Sequence, residues 1–310
     1  MRHCRIVLSL SWILLALSGR AVADGVIRDS VSATSSGRGG ANIAHSDNGA
    51  VLLSNPAGII NAPGRGLFEA SLDTLYTELG YEDPQNSVEA RNRINLLPEA
   101  AGIYKSRDGL WAAGVGVFVP AGFTAEWEMA APAPFPGREK YYSLGTLIKV
   151  LPGAAVRLTE RLSVGATVGL AFSQIELDGP FFVQSGMLRG APTLLKLNTD
   201  GLAPTWSIGA QYQLSERTTF GVVYSSETRF ELEGDARATI IAPPAPVMSD
   251  FDAEVDIVWP RSIGAGVTHW INCRHRVSLD VLWFDWSDAF DQLDLTLSNP
   301  SFAPLAPLTP

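Results

Sequence analysis

The sequence predicts an all-β chain, a transmembrane antiparallel β-barrel with an N-terminal plug segment. Three observations predict it. The chain starts with an export-type leader and has no later apolar run of helical length. Apolar residues alternate with small or polar ones from about residue 66 onward. The connections between the alternating segments are short and long by turns.

The leader comes first. Arg2, His3 and Arg5 form a basic start, Ile6 to Leu17 is mostly apolar, and Ala21-Val22-Ala23 has the small-x-small form of a cleavage site. The apolar stretch is short for a membrane helix. Residues 1–23 therefore read as a signal peptide, with the mature chain starting at Asp24. Cys4 would leave with it, so Cys273 remains as the single cysteine and no intrachain disulfide is expected. The formal net charge is −9, and losing Arg2, Arg5 and Arg20 makes the mature chain three units more acidic. That balance argues against a nucleic-acid partner, which wants basic patches. No run of about 18 apolar residues follows the leader, so a helical span is not expected.

Residues 24–62 are rich in Ser, Gly, Ala and Asn, and no period-2 pattern is sustained there. They read as a compact, irregular plug with short helical turns. Alternation then takes over. Leu162, Val164, Ala166, Val168, Leu170 and Phe172 alternate with Ser163, Gly165, Thr167, Gly169, Ala171 and Ser173. The stretches 202–214 and 277–283 behave the same way. Noisier ones cover 66–78, 97–105, 110–120, 142–158, 217–232 and 253–271. Crossing a bilayer with a tilted strand takes about 9–11 residues, and several of these segments are long enough. Trp111, Trp206, Tyr212, Phe220 and Tyr224 lie near the ends of the apolar faces, where aromatic girdles sit.

Short connections are expected near 106–109, 159–161, 215–217 and 272–275. Long loops are expected at 79–96, 121–141, 178–201 and 233–252. Soluble sandwiches seldom sort their connections in this way. The count is nine strands, whereas bacterial single-chain barrels have even numbers. A Pro-rich end, Ala303 to Pro310, follows instead of a closing strand. Either the count is off or the chain is a truncated member of its family, and truncation is the expectation. An unclosed sheet leaves edge hydrogen bonds unpaired in lipid.

Three stretches carry a family resemblance. The first runs from Ser36-Gly37-Arg38-Gly39-Gly40 through Asn55-Pro56-Ala57-Gly58-Ile59. The second is Tyr224-Ser225-Ser226-Glu227-Thr228-Arg229-Phe230 with Gly234. The third runs from Trp259-Pro260-Arg261-Ser262 to Trp283-Phe284-Asp285-Trp286-Ser287. In this order, after a signal peptide, they resemble the FadL family of outer-membrane transporters for long-chain fatty acids and related hydrocarbons. The resemblance implies a 14-stranded barrel with an N-terminal hatch, here residues 24–62, and a partial barrel over 63–310. It implies passive, ligand-gated diffusion by a monomer in the outer membrane, among lipid and lipopolysaccharide and placed there by the barrel-assembly machinery. It also implies that Asn55, Pro56, Ala57 and Gly58 belong to the hatch or gate, and that a kink in the third strand gives lateral escape. Gly114, Gly116, Pro120 and Gly122 are the kink candidates, although Gly and Pro also occur as ordinary barrel residues and strand ends.

Such transport needs an apolar capture surface, a blocked lumen and a route that opens. Phe123, Trp127, Met129 and Phe135 make the 120–142 connection apolar, and Phe181 and Phe182 do so in the next long connection. Exposed apolar clusters mark binding sites, or they pack on each other. Arg138 and Lys140 suit a carboxylate head group, or they are solvated loop charges, the commoner case. His45, His269 and His275 match no metal spacing, and no cofactor is expected. His45, Ser46 and Asp47 lack a nucleophile elbow, so the chain is not expected to be an enzyme. Two alternatives to fatty acid uptake stand: a general porin for small polar solutes, disfavoured by the plug, and an aromatic-hydrocarbon channel of the same family.

Overall fold

In a transmembrane strand the outward side chains must be apolar, while a strand that rises into water must hide its apolar side chains inside. Both rules operate along single strands here. The structure, a computed structural model, describes residues 26–91, 94–184, 186–242, 244–289 and 294–308. The expected leader and cleavage site lie outside them. Among the described residues no helix is long and apolar enough to cross a membrane.

Two single-turn helices, α1 (Ala33–Ser36) and α2 (Val51–Ser54), and a 3-10 turn at Pro56–Asn61 precede the strands. The strands are β1 (Gly66–Tyr76), β2 (Gly80–Glu82), β3 (Ser87–Glu89), β4 (Ile94–Lys105), β5 (Trp111–Ala130), β6 (Arg138–Arg157) and β7 (Leu162–Phe182). They continue with β8 (Pro192–Ser215), β9 (Thr218–Ser225), β10 (Thr228–Ile240), β11 (Val247–Trp259), β12 (Ser262–Trp270), β13 (Arg276–Phe284) and β14 (Asp294–Ser298). β2 and β3 form a separate hairpin, and the others form one sheet of 12 strands.

From β1 through β4 to β8 each strand pairs with the next in antiparallel register. Beyond β8 the crossings are interrupted. The second half of β8 pairs with β9 and its first half with β10. β12 and β13 continue from β9, while β11 and β14 continue from β10. β9 with β10, β12 with β11, and β13 with β14 are thus lower and upper parts of three crossings. Counted this way the described residues make nine crossings, the number the alternation predicts.

The faces explain the interruptions. In lower β7, Ser163, Thr167, Ala171 and Ser173 are buried on the inner side, while Val168 is 69% and Leu170 53% exposed on the outer side. Above Phe172 the pattern inverts. Gln174, Glu176 and Asp178 continue the outer face, and Ile175 and Leu177 pack inward. β8 inverts at the same level, with Leu202 and Trp206 outside below, Lys196 and Asp200 outside above, and Leu195 and Leu197 buried. Phe172 pairs with Leu202, and Gln174 with Asp200, so the boundary runs straight across the ladder. In the next crossings the inversion coincides with breaks at Ser226–Glu227 and Pro260–Arg261. Above the breaks Glu231, Glu233, Asp235, Asp252, Glu254 and Asp256 are exposed, and Phe230, Leu232, Phe251 and Val255 form an inner apolar core.

This corrects the expected long loops at 121–141, 178–201 and 233–252. β5 runs to Ala130 before β6 starts at Arg138, β7 reaches Phe182 before β8 starts at Pro192, and β10 reaches Ile240 before β11 starts at Val247. The segments are strand extensions with short tips. Their alternation persists with reversed polarity, so a search for outward apolar faces loses them. The 79–96 connection holds the β2–β3 hairpin. The opposite ends of the strands turn tightly, as expected.

Candidate functional site

The N-terminal segment, residues 26–62, fills the concave side of the sheet. Asn55 is extended and Pro56 starts the 3-10 turn, a place where the missing N–H and fixed φ of proline fit. The Asn55 side chain is 0% exposed. Its Oδ1 accepts from Ala57 N at 3.1 Å, and its Nδ2 faces Ile43 O at 2.8 Å, Ala210 O at 3.2 Å and Val222 O at 3.3 Å. The last two are backbone carbonyls of β8 and β9. One carboxamide therefore folds the hatch turn and ties it to the wall.

Other wall residues complete the seat. Asp280 Oδ2 on β13 accepts from Asn42 N at 2.7 Å and Ile43 N at 2.8 Å. Gln211 on β8 donates to Ile43 O at 2.9 Å and accepts from Ser46 Oγ at 3.0 Å and Asn61 Nδ2 at 2.9 Å. Glu69 on β1 accepts from Gly49 N at 2.7 Å. Because β1 and β13 lie far apart in the sheet order, the sheet must curl for both to reach the hatch. Backbone approach is close enough to require glycine in the wall. A Cβ on Gly165 would stand 2.4 Å from Pro56 O and 2.7 Å from Ala57 N. Gly165→Ala is expected to cost about 1–3 kcal/mol by overpacking against a backbone that cannot give way; thermal unfolding in detergent measures it, and an unchanged midpoint would contradict the seat.

Ser46 is turned to Gln211, while His45 Nε2 lies 2.7 Å from Asp47 and Arg38 Nη1 lies 2.6 Å from both Asp47 oxygens. Burial pushes the Asp47 carboxyl up, but hydrogen bonds from His45 and Arg38 outweigh it and hold Asp47 well below the usual carboxylate range. Arg38 and His45 thus hold Asp47 in one knot of the N-terminal segment.

Two cavities flank the plug. One of about 380 Å³ lies at the tight-turn end and is polar, with Lys105, Arg157, Arg161 and Arg217 around it. The other, of about 150 Å³, lies against β5 and is lined by Ile27, Leu53, Pro120, Ala121, Leu147, Trp259 and Phe284, among others. Lys149 reaches into it, with Thr205 Oγ1 at 3.4 Å and no ion-pair partner among the described residues. This second cavity adjoins an irregularity in the wall. The β4–β5 ladder runs from Lys105↔Ala112 to Ala100↔Val117 and stops, although β5 continues to Ala130. On the other edge of β5 the register with β6 shifts between Phe118 and Ala121. Of the four kink candidates Pro120 sits at this shift. Gly114 and Gly116 pair regularly below it, and Gly122 above it.

The expected ligand residues lie elsewhere. Phe123, Trp127 and Met129 stand on upper β5, and Phe181 and Phe182 end β7. Phe135, in the tip between β5 and β6, is buried and meets Phe182 edge-on at 5.5 Å. Arg138 donates to Glu128 O, and Lys140 pairs with Asp178 at 3.5 Å while lying over the Tyr142 ring. The two cations therefore already have partners. None of these eight lines the 150 Å³ cavity. The sequence reading missed Arg28, Lys149 and Asp280, which carry no local motif.

No curated protein sequence matches the chain. Among solved structures, the P. putida toluene transporter TodX is similar at 21% identity, covering 87% of this chain and 74% of TodX with a TM-score of 0.78. The Ralstonia pickettii toluene transporter TbuX is similar at 19% identity, covering 89% and 77% with a TM-score of 0.76. A Pseudomonas aeruginosa FadL homologue shows 16% identity, 88% and 72% coverage and a TM-score of 0.69. These likenesses establish the shared barrel fold. The family model for outer membrane protein transport proteins (OMPP1/FadL/TodX) matches residues 14–303, and with nearly the whole sequence inside that match the chain belongs to this family of outer-membrane transport proteins.

Proposed function

We propose that the chain admits hydrophobic compounds by passive diffusion, with segment 24–62 as a hatch and the cavity beside β5 as the ligand's station. The observation that carries this reading is the position of that cavity, between the hatch and the place where β4 parts from β5. A compound leaving there enters hydrocarbon without crossing the polar, cationic chamber below the hatch. A volume of about 150 Å³ with mainly apolar walls suits a single aromatic ring, since apolar cavities of roughly that size take up benzene. Monoaromatic hydrocarbons are therefore the first ligand class. The similar toluene transporters agree with that choice.

Lys149 favours a second reading, a long-chain acid whose carboxylate rests on an ammonium that has no ion-pair partner among the described residues. Uptake of radiolabelled toluene, a long-chain acid and a small sugar by cells with and without the gene tests both. Sugar uptake without either hydrophobic compound would defeat the proposal in favour of a porin. Lys149→Met separates the two ligand classes. For an acid it is expected to lower uptake about tenfold, as losing a charge-assisted hydrogen bond does, and for toluene to leave it unchanged.

A further inference from the structure

A strand that loses its neighbour inside a membrane exposes unpaired backbone groups, and something must cover them. β5 is in that position beyond Val117, where its ladder with β4 ends. Residues at the start of the hatch provide the cover. Ile27 forms an antiparallel bridge with Ala121, and Arg28 N donates to Pro120 O at 2.9 Å.

The Arg28 side chain then spans the gap. Its Nη1 donates to Val119 O on β5 at 3.0 Å and to Glu99 Oε1 on β4 at 2.7 Å, and its Nη2 donates to Asp73 on β1. Ser71, two residues from Asp73, is the register partner of Glu99, so both carboxylates occupy one inner patch of wall. The Glu99 side chain is 2% exposed. Among the described residues Arg28 is the only ion-pair partner of either acid. A planar guanidinium with several fixed donors suits such a three-way junction better than an ammonium would. Withdrawing it leaves the buried Glu99 and the partly buried Asp73 carboxylates near each other without a counter-charge.

We propose that Arg28 is an ionic latch: with Ile27 it closes the gap between β4 and β5, and its release from Glu99 and Asp73 opens that gap to the ligand. The proposal rests on the reading that the adjoining cavity is the ligand's station. It adds which group must move and what holds it shut.

A tether tests the movement in the full chain. In a Cys273→Ser background, Ile27→Cys with Ala121→Cys places two thiols on opposed residues, whose Cα atoms in an antiparallel pair lie about 4.5–5.5 Å apart and so within disulfide reach. Oxidation should cut toluene uptake about tenfold or more by removing the open population, and a reductant should restore it. Uptake that is equal in the oxidised and reduced protein would overturn the latch while leaving hydrophobic uptake in place.

The second arm does not depend on transport. Ala121 is 0% exposed, so Ala121→Cys in the Cys273→Ser background should react slowly with a membrane-permeant maleimide. Adding Arg28→Gln should speed labelling about tenfold. Should Arg28→Gln fail to assemble, Asp73→Asn with Glu99→Gln removes the ionic partners, retains the Arg28 contacts to Val119 O and Pro120 O, and should speed labelling likewise. Unchanged labelling in a folded variant overturns the latch. Faster labelling in a protein that takes up no hydrophobic compound would support the latch and defeat the ligand reading.

Discussion

Asn55→Ala will loosen the hatch and make the lumen leak. The native carboxamide is fully buried and serves two sides at once, accepting from Ala57 N within the turn and donating toward Ile43, Ala210 and Val222 carbonyls. Alanine leaves Ala57 N without its acceptor and withdraws the donor that joins hatch to wall. Ile43 O keeps Gln211 as a donor, so the loss falls on the turn and on the link to β8 and β9. A cost of about 2–3 kcal/mol is expected, within the range for stranding a buried polar group. Thermal unfolding in detergent reads the stability, and permeation of a small sugar through reconstituted protein reads the leak. Asn55→Asp sharpens the test. It keeps an acceptor for Ala57 N but turns a carboxylate toward three carbonyl oxygens, so it should be at least as damaging as alanine. Wild-type stability and tightness in both variants would remove Asn55 from the gate.

Val168→Arg will be the most costly single change on the outer surface. Val168 lies midway along the apolar outer face of β7, between Leu162 and Phe172, and opposite Trp206. An arginine near the bilayer midplane of a barrel costs about 2–4 kcal/mol, falling to roughly 0–1 at the interface. Gln174→Arg, one outward position above Phe172, should therefore cost less than about 1 kcal/mol. Unfolding by urea in lipid vesicles measures both. Equal costs at the two positions would show that the polarity inversion at Phe172–Gln174 does not mark the membrane surface.

That inversion also explains which parts of the fold were legible in the sequence. The outer faces of 162–172, 202–214 and 277–283 could be read directly, because hydrocarbon demands an unbroken apolar row with period 2. The tight turns could be read for the same reason, since they interrupt the row at one end of each strand. Above the boundary the apolar residues move to the inner face, and in two crossings a break shifts which residues point outward. Phe251 was thus hidden inside 233–252, a stretch that read as loop, while Phe230, Leu232 and Val255 lay in the noisier stretches 217–232 and 253–271, where their inward side was not legible. Asn55 was legible as a turn because Asn-Pro carries its own backbone preference.

Its hold on Ala210 and Val222, more than 150 residues away, had no local trace. The same is true of Arg28 with Glu99 and Asp73, of Asp280 with the hatch backbone, and of the closeness of Gly165 to Pro56. What this sequence determined alone was the number of crossings and, in the clearest of them, the side turned to lipid, because those follow from solvent and period. Only the curled sheet decided how the plug is held and where the wall parts, because those depend on side chains from remote strands meeting across the lumen.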